Sequence, residues 1–217
     1  MYVIIGQNHS QLKSQRHYNG LKVFLKKAFF GILDPIGLYS IYASLNGIKS
    51  FSFEPMPENI NQLKKNVVIN NLDNNIIVPL SINDISKISR MNFKSIHVSG
   101  SSHSSFYSTL DQHLNSSFDK SFQTIGISSN DFIKQYGLKP PTYVKIDVDD
   151  NEIACLKGLS EILQNIKELL VEVNKETNRK EIVEFLEKKN FRIKKTCSKG
   201  FDTKSPMQNI IYENKIN

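Results

Sequence analysis

The stretch from Thr142 to Gly158, TYVKIDVDDNEIACLKG, restricts the possible folds more than any other part of this sequence. Its first half reads as a strand in which Val144, Ile146 and Val148 alternate with Lys145, Asp147 and Asp149, giving one apolar face and one charged face. Asp150, Asn151 and Glu152 extend the charged cluster, and NEIACLKGLSEILQN continues as an amphipathic helix. A strand running straight into a helix is the repeating unit of α/β domains. A strand buried on both faces carries Lys and Asp at alternating positions only if they are partnered or used, because an unpaired buried charge is costly.

The same rhythm fills most of the chain. AFFGIL reads as a buried strand, and GLYSIYASLN as a short helix with Leu38, Ile41, Tyr42 and Leu45 on one face and Gly47 at its C-terminal end. KSFSF alternates as a strand and stops at Glu54-Pro55, and Pro57 opens a helix over ENINQLKKNVVINN. NIIVPLSI is a third strand, ended or distorted by its proline. Residues 83–129 are rich in serine and predict a long insertion or lid with at most short elements. SSNDFIKQYG then reads as a helix capped by Ser129 or Asn130, KELLVEVN as a buried strand, and NRKEIVEFLEKKN as a helix burying Ile182, Val183, Phe185 and Leu186. FRIKKTC and QNIIYEN close the chain as two strands that suit an antiparallel edge. The expected fold is a doubly wound, mostly parallel α/β sheet with an antiparallel C-terminal edge, spanning 29–217 as one domain after a basic segment, 1–28.

Charge and composition narrow the function classes. Of the net +7, Lys13, Arg16, Lys22, Lys26 and Lys27 supply five charges before residue 34, with no acidic residue among them, and the remainder is nearly balanced. Such a basic arm can meet phosphates, but its shortness leaves nucleic acid outside the expected partners. No apolar run approaches the roughly 20 residues that span a bilayer, and the N-terminus lacks a signal-peptide pattern. Cys155 and Cys197 lie far apart without Cys-x-x-Cys spacing, which suits a reducing, cytoplasmic setting.

In open α/β sheets ligands bind beyond the C-terminal ends of the strands. Gly37, after the first strand, permits close backbone approach. Glu54 ends the second strand 17 residues later, where a carboxylate can accept from both ribose hydroxyls of a nucleoside cofactor. Lys145, Asp147 and Asp149 form the third group, with two structural alternatives open: a Lys145–Asp147 ion pair, and helix capping by Asp149 or Asp150. His97, His103 and His113 lie in the serine-rich region, and His103 is the preferred candidate base of the three.

On these residues the sequence resembles the FkbM family of S-adenosylmethionine-dependent methyltransferases. GLYSIYAS with FEPMPENINQLKKNVVINNL looks like the family's first helix, strand-ending Glu-Pro and next helix, and VKIDVDDNEIACLKG is similar to its Lys-Ile-Asp-Val-Glu/Asp-Gly-x-Glu segment. The resemblance implies a class I, Rossmann-like methyltransferase, with S-adenosylmethionine near Gly37, Glu54, Asp34, Asn59 and Ser81. It further implies methyl transfer to a hydroxyl of a glycan or other small polar acceptor, with Asp147 or Asp149 orienting or deprotonating it and Lys145 fixing the carboxylate charge; His103 joins them from its place in the serine-rich region, and a divalent metal on Asp147, Asp149 and Glu152 is not favoured because consecutive strand residues diverge. Two rivals are a methyltransferase-like binding module without cofactor, and a nucleic-acid methyltransferase. The family's Asp-x-Gly-x-Asn-x-Gly turn is replaced here by Gly31, Leu33, Pro35 and Gly37, and Asp150 stands at a family glycine. Codons for Asp-Ile-Gly-Ser-Asn-Ile, such as GAT ATT GGA TCC AAT ATT, yield the sequence of residues 32–36 when read one base later, so a pair of compensating frame changes would explain the altered turn.

Overall fold

The computed structural model describes residues 29–32, 37–93, 104–106, 120–148, 151–198 and 206–216. Its main sheet has seven strands in the order β10-β11-β9-β8-β1-β2-β3. These are β1 (Phe29–Ile32), β2 (Ser50–Phe53), β3 (Asn75–Val78), β8 (Tyr143–Ile146), β9 (Glu168–Asn174), β10 (Phe191–Ser198) and β11 (Met207–Asn214). The five strands from β9 to β3 pair in parallel, whereas β11 runs antiparallel to both β9 and β10. The closing strands are thus antiparallel as expected, with β11 inside the sheet and β10 at its edge.

Two apolar clusters show that both faces of this sheet are covered. Phe51, Phe53, Val144, Ile146, Leu169, Val171 and Val173 join one cluster with helical residues Leu156, Ile182 and Leu186. The intervening positions, Tyr143 and Leu170, join Ile211 and Ala43 in a second. Period-two alternation sends neighbouring residues to opposite layers, so the central strands are covered on both faces. The helices are α1 (Leu38–Leu45), α2 (Pro57–Ile69), α3 (Ser129–Gln135), α4 (Glu152–Gly158) and α5 (Arg179–Lys188). In α5, Ile182 and Leu186 are buried while Val183 and Phe185 pack partly against the core.

Three elements depart from the sequence reading. Helix α1 buries Ser40, Ile41, Ala43 and Ser44 rather than the expected Leu38–Ile41–Tyr42–Leu45 face. Small residues let it approach β2 closely, and the Ser44 and Ser50 hydroxyls bond at 2.8 Å. Second, the helix expected over 151–165 ends at Gly158 and resumes as one 3-10 turn, Leu163–Asn165. A β-carbon on Gly158 would lie 1.9 Å from the Asn83 carbonyl oxygen, so the chain needs glycine where α4 crosses that backbone. Third, α3 is capped by Ser128, not Ser129 or Asn130, through its hydroxyl accepting from Asp131 N at 3.0 Å.

The segment read as an insertion contains more regular structure than expected. Strands β4 (Ser81–Asn83), β5 (Lys87–Phe93), β6 (Ser104–Phe106) and β7 (Lys120–Ser128) form a second sheet in the order β4-β7-β5-β6. Pro79 separates β3 from β4, and the chain changes sheets there. Met91 of β5, with Phe93 and Phe122, packs on Met56, which follows Glu54-Pro55. The second sheet is therefore seated beside the C-terminal end of β2.

Candidate functional site

The strand order reverses around β1: the chain proceeds from β1 to β2 and β3 on one side, then returns to β8 and β9 on the other. Such a switch point opens a crevice beyond the C-terminal ends of the central strands. Ile32 pairs with Phe53 on one side and Ile146 on the other, and Ile146 pairs with Val171. Glu54, Asp147 and Glu172 are each the next residue beyond that row. Adjacent strands are about 4.8 Å apart, so Glu54 and Asp147 flank the crevice across roughly 10 Å.

On the β8 side, Lys145 is 1% exposed and forms an ion pair with Asp147, which retains 28% exposure. Its ammonium also lies 4.3 Å from the centroid of the Tyr39 ring, in the first turn of α1. The ion pair left open by the sequence is therefore present, with an aromatic third member. Because Asp147 is open while Lys145 is covered, the pair presents a carboxylate outward and keeps its counter-charge inside.

On the β2 side, Glu54 is fully buried, and its Oε1 accepts from Met56 N at 2.9 Å. Its own backbone N donates to Val78 O at 3.1 Å, which ties it to the end of β3. Gly37 begins α1 with φ of +79° and accepts from Ile41 N at 2.7 Å. A β-carbon there would come within 2.3 Å of Leu63 Cδ1 on α2. Asn59 is buried early in α2, and Ser81 is buried at the start of β4, just past the end of β3. Gly37, Glu54, Asn59 and Ser81 thus share the C-terminal side of β1–β3. Asp34, Asp149 and His103, like His97, His113 and the basic segment 1–28, lie outside the described residues.

Beneath this side runs a buried polar seam. Asn75 Nδ2 donates to the hydroxyls of Ser50 at 2.7 Å and Ser52 at 3.0 Å, and Ser50 in turn meets Ser44. The seam satisfies polar groups that would otherwise be costly between α1 and the sheet. Cys155 is fully buried, and burial, followed by the charges of Glu152 and Asp84, pushes its thiol well up. Its Sγ donates to Ile82 O at 3.4 Å, so it acts as core and not as a nucleophile.

The Methyltransferase FkbM domain matches residues 34–193. The chain belongs to the FkbM methyltransferase family. No curated protein matches it in sequence. Among solved structures, this FkbM domain is similar to precorrin-6y C5,15-methyltransferase from Geobacter metallireducens, at 12% identity over 97% of this chain and 94% of that one, with a TM-score of 0.58. An rRNA methylase from Streptococcus thermophilus matches at 10% identity over 91% of this chain and 93% of that one, TM-score 0.52. The Pyrococcus abyssi tRNA (uracil-54, C5)-methyltransferase, in complex with S-adenosyl-L-homocysteine, matches at 13% identity over 90% of this chain and 36% of that one, TM-score 0.50. At these identities the likeness is one of fold.

Glu172, Asn174 and Asn178 of this FkbM domain escaped the sequence reading as site candidates, whereas Glu152 belonged to the charged cluster it singled out. Glu172 is buried on the Lys145 face of β9, opposite Asn209 of β11. Glu152, 2% exposed, accepts from Asn178 Nδ2 at 2.9 Å, and Asn178 Oδ1 accepts from Asn174 N at 2.9 Å. The available signal was the acid and amide at alternating positions in ELLVEVN, the pattern that marked VKIDV. Among the described residues, no three His, Cys, Asp or Glu side chains gather as a metal-holding group. No helix among them is long and apolar enough to cross a membrane.

Proposed function

We propose that this FkbM domain is an S-adenosylmethionine-dependent O-methyltransferase acting on a hydroxyl of a sugar or another small polar acceptor in the cytoplasm. The fold is read as the doubly wound, mostly parallel class I architecture. The observation that carries the proposal is the placement of Glu54 and the Lys145–Asp147 pair on opposite sides of β1, at the point where strand order reverses.

Bound S-adenosylmethionine supplies an activated methyl group on a sulfonium. Toward that cofactor, Glu54 offers an acceptor-only carboxylate, which matches the two donors of a ribose diol, and Gly37 provides the turn after β1. Asn59 and Ser81 add polar groups on the same side. The donor set therefore fits the cofactor. On the other side, the exposed Asp147 carboxylate accepts the hydroxyl proton of the acceptor and aligns its oxygen. Lys145 sets a buried cation against that carboxylate. Asp149 and His103 are assigned to the same acceptor side.

A second reading, a binding module that has lost the cofactor, is favoured by two observations: the family turn is replaced by Leu33, Pro35 and their neighbours, and Glu54 is fully covered. Calorimetry with S-adenosylhomocysteine separates the two. Saturable heat supports the enzyme, and none at millimolar ligand with folded protein supports the module. Two of the similar folds are named for action on RNA, so the fold lends no support to excluding nucleic acid. Transfer of labelled methyl groups to sugars and to RNA in parallel identifies the acceptor. Methylation of RNA alone, falling steeply with salt, would replace the sugar reading.

A further inference from the structure

Lys145 and Asp147 are held by more than each other. Tyr39 sits two residues after Gly37, in the turn of α1 fixed by the Ile41 N to Gly37 O bond of 2.7 Å. Its ring packs partly into the second apolar cluster with Ala43, Ile48, Tyr143, Leu170 and Ile211, which leaves it little freedom to turn. From that seat it places a π-face 4.3 Å from the Lys145 ammonium, on a lysine only 1% exposed. A desolvated cation over an aromatic face is held by the ring quadrupole, and this attraction grows as water is excluded. The ammonium is thereby trapped between a neutral ring on one side and a carboxylate on the other.

We propose that Tyr39 is a positioning residue: its ring holds the Lys145 ammonium against Asp147 and thereby fixes the direction of the carboxylate at the C-terminal end of β8. The proposal rests on the catalytic reading of Asp147 given above and deepens it. It also links the two sides of the crevice, because the helix that starts at the cofactor-side Gly37 carries the ring that braces the acceptor-side pair. Among the described residues, the other titratable groups on this face are Tyr143 of the same strand and Glu168 and Glu172 of β9, with Lys194 paired to Glu168 and Glu213 farther along the sheet, and Glu152 opens α4. Glu172 lies one strand away from Asp147 on the same face, and the seated ammonium is the cation in contact with Asp147.

The test follows the Asp147 carboxyl carbon by NMR across a pH series, with no cofactor or acceptor present. Its outcome is therefore independent of whether the chain transfers methyl groups, which the calorimetry and labelled-methyl assays decide. Lys145→Met is expected to raise the Asp147 midpoint by roughly one to three units. Tyr39→Leu, which removes the ring, is expected to raise it in the same direction by roughly half a unit. Tyr39→Phe keeps the ring and is expected to titrate as the parent. Tyr39→Met serves in place of the leucine variant should that fold poorly, as judged by thermal unfolding. An unmoved midpoint in the folded leucine or methionine variant overturns the proposal. So does a phenylalanine variant that shifts as far as the leucine variant, since the hydroxyl and not the ring would then be responsible.

Discussion

Glu54 and Asp147 each follow a strand residue paired with Ile32, so β1 sets these two carboxylates at equal height on either side of the crevice. Equal height with separate strands predicts separable roles. Glu54→Ala is expected to weaken S-adenosylhomocysteine binding roughly tenfold or more, through loss of charged hydrogen bonds, and Asp147→Ala far less. Turnover should show the reverse, with Asp147→Ala losing roughly a hundredfold or more, as removal of a proton acceptor does. Calorimetry and labelled-methyl transfer on both variants check the ordering, and a reversed order would falsify the division.

Gly158 gives a stability prediction independent of function. Because a β-carbon would fall 1.9 Å from the backbone oxygen of Asn83, Gly158→Ala must push α4 away from β4. A loss of about 1 to 3 kcal/mol is expected, typical of overpacking, measured by denaturant unfolding. Gly47→Ala makes a useful contrast: it meets no atom within 4 Å and suffers only the strain of φ +75°.

The start of α3 predicts a pH dependence. Hydrogen bonds from Ser86, then from Ser128, hold the Asp131 carboxyl below its usual value. A folded-state value lower than the unfolded one adds stability above the unfolded value and loses it as pH falls through the folded one. Unfolding of Asp131→Asn should therefore differ from the parent at neutral pH, and the gap should close as acid protonates Asp131. Ser128→Ala should cost about 1 kcal/mol as a lost helix cap. A gap that stays constant down to the lowest pH would remove the titration argument.

The altered turn can be tested by repair. Replacing residues 31–36 with Asp-Ile-Gly-Ser-Asn-Ile is expected to raise affinity for S-adenosylhomocysteine, since it restores a small residue and polar side chains before Gly37. Unchanged calorimetric affinity in a folded repaired chain would show that this turn does not limit binding. Reading the coding DNA in a shifted frame provides the companion check: absence of the family string there removes the frame-change explanation.

How much of this was legible in the sequence depended on the range of the interaction. The β8–α4 segment was readable because strand alternation, charge and helix periodicity all act within a few residues. Glu54 was readable because a proline stops its strand. The buried face of α1 was misread because Ser40 and Ser44 are polar by composition, and their burial depends on Ser50 and Asn75 from other elements. Tyr39 beneath Lys145 left no local mark, since an aromatic residue in a helix is ordinary and its partner lies far along the chain. The strands β5 and β7 were hidden by polar residues on the exposed positions of the second sheet, among them Arg90, Ser121 and Gln123.

The seam of Ser44, Ser50, Ser52 and Asn75 has a consequence for Glu54. Strand β2 reads Ser-Phe-Ser-Phe, so slipping by one residue would turn both phenylalanines toward α1 and strand the Asn75 amide among rings. Hydroxyls and one amide thus work as a key that admits a single alignment, and the strand's terminal carboxylate inherits its aim from that key. Variants of Asn75 would then behave as though the Glu54 carboxylate itself had been moved.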